Sequence, residues 1–201
     1  MRFFPYGKAE TEHLKRRDAT LGEAMDRLGR VEREVTPDPF QALLRSVVAQ
    51  QISAKAAATV WTRIREMLGE VTPARVAEAG AEALKRCGLS LRKASRIHAI
   101  GRAAARGEVD FEGLRALNDA EVVARLTALP GVGAWTAEML LIHCLERPDV
   151  VSRGDLAIRR GMMRLYRLDS LPRTVFDEFA RRYSPHGSVA SIYLWRLSAE
   201  D

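Results

Sequence analysis

The sequence predicts an all-α fold. Three observations carry this expectation. Apolar residues recur at helical spacing along most of the chain. The segments between them carry helix start and stop signals, with Asp, Ser, Thr or Asn in front and Gly behind. No stretch shows sustained alternation of apolar and polar residues between turns. The first clear start is Asp38-Pro39, an N-cap and a first-turn proline before FQALLRSVVAQ, whose Phe40, Leu43, Leu44, Val47 and Val48 fall on one face. Ser53 can cap AKAAATVWTRIREML, which stops at Gly69 and carries Val60, Trp61, Ile64, Met67 and Leu68 as its buried stripe. Thr72-Pro73 starts a short helix, and Gly88 ends the segment AEALKRC. Ser90 can cap LRKASRIHAIGRAAAR, which stops at Gly107. Asn118 and Glu121 form a capping-box pattern before VVARLTAL. A further helix runs to about residue 145, and VVSRGD reads as a connection. The usual helix and loop lengths give roughly ten helices in all.

Length and composition bound the function. A chain of 201 residues with 47% apolar content suits one compact domain or two small lobes. No window approaches the ~20 apolar residues of a membrane span. The N-terminal MRFFPYGKAETEHLKRRD lacks the apolar core of a secretory signal. Cys87 and Cys144 lie far apart in sequence, which suits reduced thiols in the cytoplasm. Two cysteines cannot supply the four thiolates of an iron–sulfur cluster. The net charge is +6, and 27 arginines stand against five lysines. A basic surplus favours a polyanionic partner. From Leu84 to Arg106 there are seven basic residues and no acidic one. That run reads either as a solvated helical face or as a surface turned to phosphates.

Residues 129–139, LPGVGAWTAEM, place a Pro-Gly-Val-Gly turn before an apolar helix. A dinucleotide site would need a preceding strand and a third glycine, and a P-loop would need a lysine. The preceding NDAEVVARLTAL reads as a capped helix, so a nucleotide cofactor is a poor reading of this turn. Two readings stay open: a tight helical hairpin needing glycine for packing, or a turn whose Gly131 and Gly133 N–H groups meet a phosphate. Farther on, Asp155 precedes the helical pattern of Leu156, Met162, Met163 and Tyr166. It can cap that helix, and the same position keeps a carboxylate ionised for chemistry. The four histidines have no metal-like spacing.

Taken together, LPGVGAWTAEM and the later RPDVVSRGDLAIRRG resemble the helix-hairpin-helix DNA glycosylase superfamily, and within it the 3-methyladenine DNA glycosylase II branch. DPFQALLRSVVAQQISAKAA, CGLSLRKASRI and SPHGSVASIYLW follow the same order, so the resemblance spans about Thr36 to Trp195. It implies two helical lobes, residues 36–134 and residues 1–35 plus 135–201, with the hairpin at the cleft between them. It also implies a monofunctional enzyme that flips and hydrolytically excises 3-methyladenine and 7-methylguanine from double-stranded DNA. Asp155 falls at the catalytic position. Trp135 stands where strand-cleaving relatives carry a Schiff-base lysine. Trp195, Tyr193 and Met139 are, with Trp135, the expected base pocket. Gln51 matches a residue wedged into the duplex. Ser90, Arg92, Lys93, Gly131, Gly133 and Thr136 are the remaining expected DNA contacts. Carbonyls of Thr127, Leu129 and Val132 match a site for Na+ or K+, with no other cofactor. A monomer without membrane contact is expected. One departure is Pro185-His186-Gly187-Ser188, where the family often has an aromatic and an arginine in the middle. The rival expectations are a non-catalytic helix-hairpin-helix DNA-binding module and a glycosylase for other damaged bases.

Overall fold

The computed structural model describes residues 2–200. Among them are eleven α-helices and one short 3-10 helix, and the nearest approach to a strand is an isolated bridge between Phe3 and Glu34. The chain divides into two compact units, Thr36–Leu140 and a discontinuous one made of the residues up to Val35 and those from Leu141 onward. The division falls six residues later than the expected boundary at 134, inside a helix and not at the hairpin that precedes it. No helix among the described residues is long and apolar enough to cross a membrane.

The continuous unit holds α3 (Pro39–Ala49), α4 (Ala54–Leu68), α5 (Pro73–Arg86, broken by a kink at Gly80), α6 (Leu91–Ala105), the 3-10 helix Glu112–Ala116, α7 (Asp119–Thr127) and most of α8 (Ala134–His143). Its helix starts follow local hydrogen-bond chemistry. Asp38 accepts from Gln41 N–H at 2.9 Å, Ser53 from Ala56 at 3.2 Å, Thr72 from Arg75 at 3.3 Å and Ser90 from Lys93 at 3.3 Å. Asn118 and Glu121 close a reciprocal box at 3.0 and 2.9 Å. The expected α3 face is buried throughout, and Phe40 meets Phe111 edge-on at 5.5 Å. The α4 stripe is narrower than expected. Val60, Ile64 and Leu68, each four residues on, are buried, whereas Met67 is 39% exposed and Trp61 is half-buried with Arg45 5.9 Å above its ring. Residues 61 and 67 sit at the edges of that stripe, where the core ends.

The discontinuous unit holds α1 (Lys8–Arg17), α2 (Ala19–Leu28), α9 (Leu156–Leu165), α10 (Arg173–Tyr183) and α11 (Gly187–Ser198). Sequence periodicity did not mark α1, because KAETEHLKRR buries a single residue, Leu14. Its start is held instead by the Glu10 carboxylate, which accepts the Gly7 N–H at 2.7 Å. Asp18 caps α2 and also accepts the Tyr166 hydroxyl at 2.7 Å, while Tyr166 shares a 2.8 Å hydrogen bond with Tyr183. The two chain segments are joined further by Arg27, whose guanidinium pairs with both oxygens of Glu200 at 2.7 and 2.9 Å. Helices α9 and α11 pack at Gly161. A Cβ there would overlap the Leu194 carbonyl oxygen and stand 2.8 Å from its carbon.

Candidate functional site

In the continuous unit the hairpin forms as predicted between α7 and α8. Val132 N–H donates to the Leu129 carbonyl at 3.2 Å, and Gly131 turns the chain at φ 78°. A side chain at 131 would be strained by that φ and would have to displace Arg96, whose Nε would lie 2.5 Å from the added Cβ. Arg96 belongs to the basic run, and its side chain lies along the hairpin. Gly133 is exposed just before the first turn of α8, where unpaired N–H groups and the helix dipole favour an anion.

A second loop is tied to this hairpin. The side-chain amide of Gln50 donates to the Gly131 carbonyl at 3.1 Å and to the Thr136 hydroxyl at 3.0 Å. The next residue, Gln51, is exposed with φ 59°, and Ile52 is 41% exposed. Gln50 was not singled out from the sequence, although an amide pair closing an apolar helix was the signal available. Two expected DNA contacts turn inward. Thr136 is 2% exposed, and its hydroxyl serves Gln50. The Lys93 ammonium donates to the Val48 carbonyl at 2.9 Å and to that of Gln50, so it satisfies carbonyls at the end of α3. Burial pushes its pKa down. Ser90 and Arg92 remain exposed beside it. Trp135, half-buried, and Met139, 5% exposed, lie four residues apart on one face of α8. The carbonyls expected to hold a cation belong to the last residue of α7, Thr127, and to the hairpin residues Leu129 and Val132.

In the discontinuous unit Asp155 caps α9. Its Oδ1 accepts the N–H groups of Ala157 at 2.8 Å and Ile158 at 2.9 Å, and Oδ2 takes no part in the cap. The residue is 7% exposed. The two cap hydrogen bonds fix the direction of the carboxylate. Around it the structure gathers residues that the sequence did not connect. The Arg33 guanidinium lies 4.5 Å above the ring of Trp195. Burial pushes the Arg33 pKa down, and the charge of Asp155 pulls it back up. The His143 ring stacks on Trp195 at 5.2 Å and 20°. His143, whose spacing offered no metal site, thus packs against one of the expected pocket residues.

Tyr193 does not join them. Two residues before Trp195 on α11, it points to a different side of the helix. Its hydroxyl donates to the Gly29 carbonyl at 2.9 Å and its ring meets Tyr6 edge-on. The departure at Gly187 also has a structural cause. Gly187 N–H donates to Asp149 Oδ1 at 3.0 Å, and a Cβ would stand 2.7 Å from Val151 Cγ2. A larger residue there would have to displace the Val151 and Asp149 side chains.

Residues 44–185 match the HhH-GPD superfamily of base excision DNA repair proteins. The chain is 33% identical over 166 residues to DNA-3-methyladenine glycosylase 1 of Schizosaccharomyces pombe, covering 80% of this chain and 73% of that one. The crystal structure of a DNA-3-methyladenine glycosidase from Bacillus halodurans superposes with a TM-score of 0.83 at 32% identity, over 99% of this chain and 93% of that one. A 3-methyladenine DNA glycosylase of Schizosaccharomyces pombe in complex with abasic DNA gives 0.87 at 30% identity, over 94% and 96%. With a family match over most of its length and relatives of this identity and coverage, the chain belongs to the HhH-GPD superfamily of base excision DNA repair proteins.

Proposed function

We propose that this protein is a DNA glycosylase that hydrolyses the N-glycosidic bond of alkylated purines in duplex DNA. The observation that carries the reading is the Asp155 carboxylate, 7% exposed and held by two N–H groups at the start of α9. A base inside a duplex is out of its reach, so the nucleotide must flip out at a cost of a few kcal/mol, smaller for damaged pairs. A purine methylated at N3 or N7 carries positive charge and leaves readily. As its C1′–N bond breaks, positive charge develops on the deoxyribose. A fixed carboxylate stabilises that charge and orients the attacking water. Trp135 occupies the position of the lyase nucleophile, so the reaction ends at the abasic site.

The exposed Gly133, Gln51, Ser90 and Arg92 supply the duplex contact, the first through backbone N–H at a helix start and the last through charge. The carbonyl of Thr127, in the last turn of α7, together with the hairpin carbonyls of Leu129 and Val132, would hold a hard monovalent cation through oxygen donors. When bound, that ion supplies positive charge toward a phosphate. The protein acts as a monomer.

The test is base release from methylated duplex DNA in EDTA, comparing the wild type with Asp155→Asn. The wild type is expected to free 3-methyladenine and 7-methylguanine, and the variant to bind DNA without releasing base. A wild type that binds yet frees nothing would make the protein a DNA-binding module. A borohydride-trapped covalent complex would refute the monofunctional chemistry.

A further inference from the structure

In the continuous unit the loop between α3 and α4 is braced by side chains from two other elements, and the residue next to those braces is strained. Gln51 is exposed with φ 59°, a left-handed conformation that a residue other than glycine adopts rarely. The loop's own backbone holds it weakly. Gln50 N–H reaches the Val47 carbonyl at 3.4 Å and Ile52 N–H the Ala49 carbonyl at 3.4 Å, both longer than the usual amide hydrogen bond of about 2.9–3.0 Å. The Lys93 ammonium, from the first turn of α6, donates to the Val48 carbonyl at 2.9 Å and to the Gln50 carbonyl. The Gln50 carbonyl belongs to the peptide plane on which the Gln51 φ turns. The Gln50 side chain in turn donates to the Gly131 carbonyl at 3.1 Å and to the Thr136 hydroxyl at 3.0 Å. Lys93 and the hairpin thus grip Gln50 by its backbone and its side chain, one residue before the strained position.

A clamp of this kind is not needed to close α3. A helix end can leave its last carbonyls to water. Drawing an ammonium inward to reach them is unfavourable, in keeping with the fall in the Lys93 pKa that burial causes. What the clamp secures is an exposed side chain presented in one conformation beside the hairpin. Ordering such a loop only on contact with DNA would lower affinity and rate, and ordering it beforehand removes that cost. We propose that Lys93 is a positioning residue: by holding the carbonyls of Val48 and Gln50 it presets the left-handed Gln51, whose side chain then enters the duplex where the extruded base has left a gap. Lys93 acts through Gln51 and contacts no phosphate itself. This rests on the glycosylase reading and says how the part of the protein that probes the duplex is kept in shape.

The experiment is a double-mutant cycle of Lys93→Met, Gln51→Ala and the pair together. One readout is the fluorescence of 2-aminopurine placed opposite a tetrahydrofuran abasic analogue, which reports entry of a side chain into the gap without any chemistry. The other is single-turnover release of 7-methylguanine at saturating enzyme, with binding followed across salt concentrations. Lys93→Met is expected to shrink the fluorescence change and to slow base release by about tenfold, the order of population lost by a left-handed residue without support. In the Gln51→Ala background the same substitution is expected to cost nothing further, and the salt slope of binding to stay that of the wild type. A loss that persists undiminished in Gln51→Ala would overturn the proposal by making Lys93 a general brace of the fold. A salt slope shallower by about one would overturn it in favour of a phosphate contact. Wild-type fluorescence and rate in Lys93→Met would overturn it outright. If Lys93→Met does not fold, Lys93→Gln, whose donor sits one bond nearer the backbone, takes its place in the cycle. A wild type that binds DNA and frees no base would sink the glycosylase reading, while the fluorescence cycle would still decide the role of Lys93.

Discussion

Gly161→Ala is the substitution whose outcome is fixed most tightly by the structure. In an isolated helix it would help, since alanine is better than glycine by about 0.8–1 kcal/mol. Here the new methyl would overlap the Leu194 carbonyl oxygen and stand 2.8 Å from its carbon and 3.0 Å from its Cα. A carbon–oxygen contact settles near 3.3 Å, so α9 and α11 must part by on the order of 1 Å. The obstacle is backbone, so no rotamer change relieves it, and shortening Leu194 would not rescue it. Overpacking of this kind costs about 1–3 kcal/mol, which exceeds the propensity gain over most of that range. The midpoint of thermal unfolding should fall, by about 2–4 °C per kcal/mol for a chain of this size. The same displacement separates Asp155, at the head of α9, from Trp195, next to Leu194 on α11. A misplacement of about 1 Å can cost up to a hundredfold in rate. Thermal melting and single-turnover base release at saturating enzyme read both effects. A variant that melts higher and releases base at the wild-type rate would refute the argument, because it would mean that the two helices have room to spare.

Two further predictions address the hairpin and the N-terminal helix. Gln50→Leu removes two hydrogen bonds to the hairpin and should cost about 1–3 kcal/mol by leaving their acceptors unpaired; DNA affinity should fall with an unchanged salt slope, since no charge is lost, and a slope that changes would contradict this. Glu10 has its pKa lowered, chiefly by the Gly7 N–H. A carboxylate with a depressed folded-state value stabilises the fold above the unfolded pKa of about 4.3 and loses that contribution as pH falls through the folded value. Glu10→Gln should therefore lower the urea midpoint at pH 7 and have little effect near pH 3, and equal losses at both pH values would count against it.

What the sequence made legible was local. Asp38, Ser53, Ser90 and Asn118 cap helices because a side-chain oxygen needs only an N–H two or three residues on, a distance that spacing encodes. Asp155 follows the same rule, so its cap was readable and its chemistry came through the family resemblance. What stayed hidden depends on partners remote in sequence. Lys93 sits in a stretch with seven basic residues and no acidic one and looked like a phosphate contact, yet its ammonium reaches carbonyls 43 and 45 residues away. Thr136 follows the hairpin glycines, but its neighbour Gln50 is 86 residues distant. Nothing around Arg33 announces that its guanidinium ends on Trp195. Helical spacing could have separated Tyr193 from Trp195, because residues two apart do not share a face.

The discontinuous unit has a consequence for how the protein is made. Arg33 leaves the ribosome before the whole of Thr36–Leu140, and Trp195 after it. The continuous unit has its own core and can begin to fold as it emerges, whereas the first 35 residues must wait for α9 and α11 before Leu14, Leu21 and Met25 find their burial. A nascent chain, or one truncated before α11, could thus carry a finished hairpin able to hold DNA while lacking Trp195 and the surroundings of Asp155. Capacity to hold DNA would precede capacity to cut a glycosidic bond, and the emergence of α11 would switch one into the other.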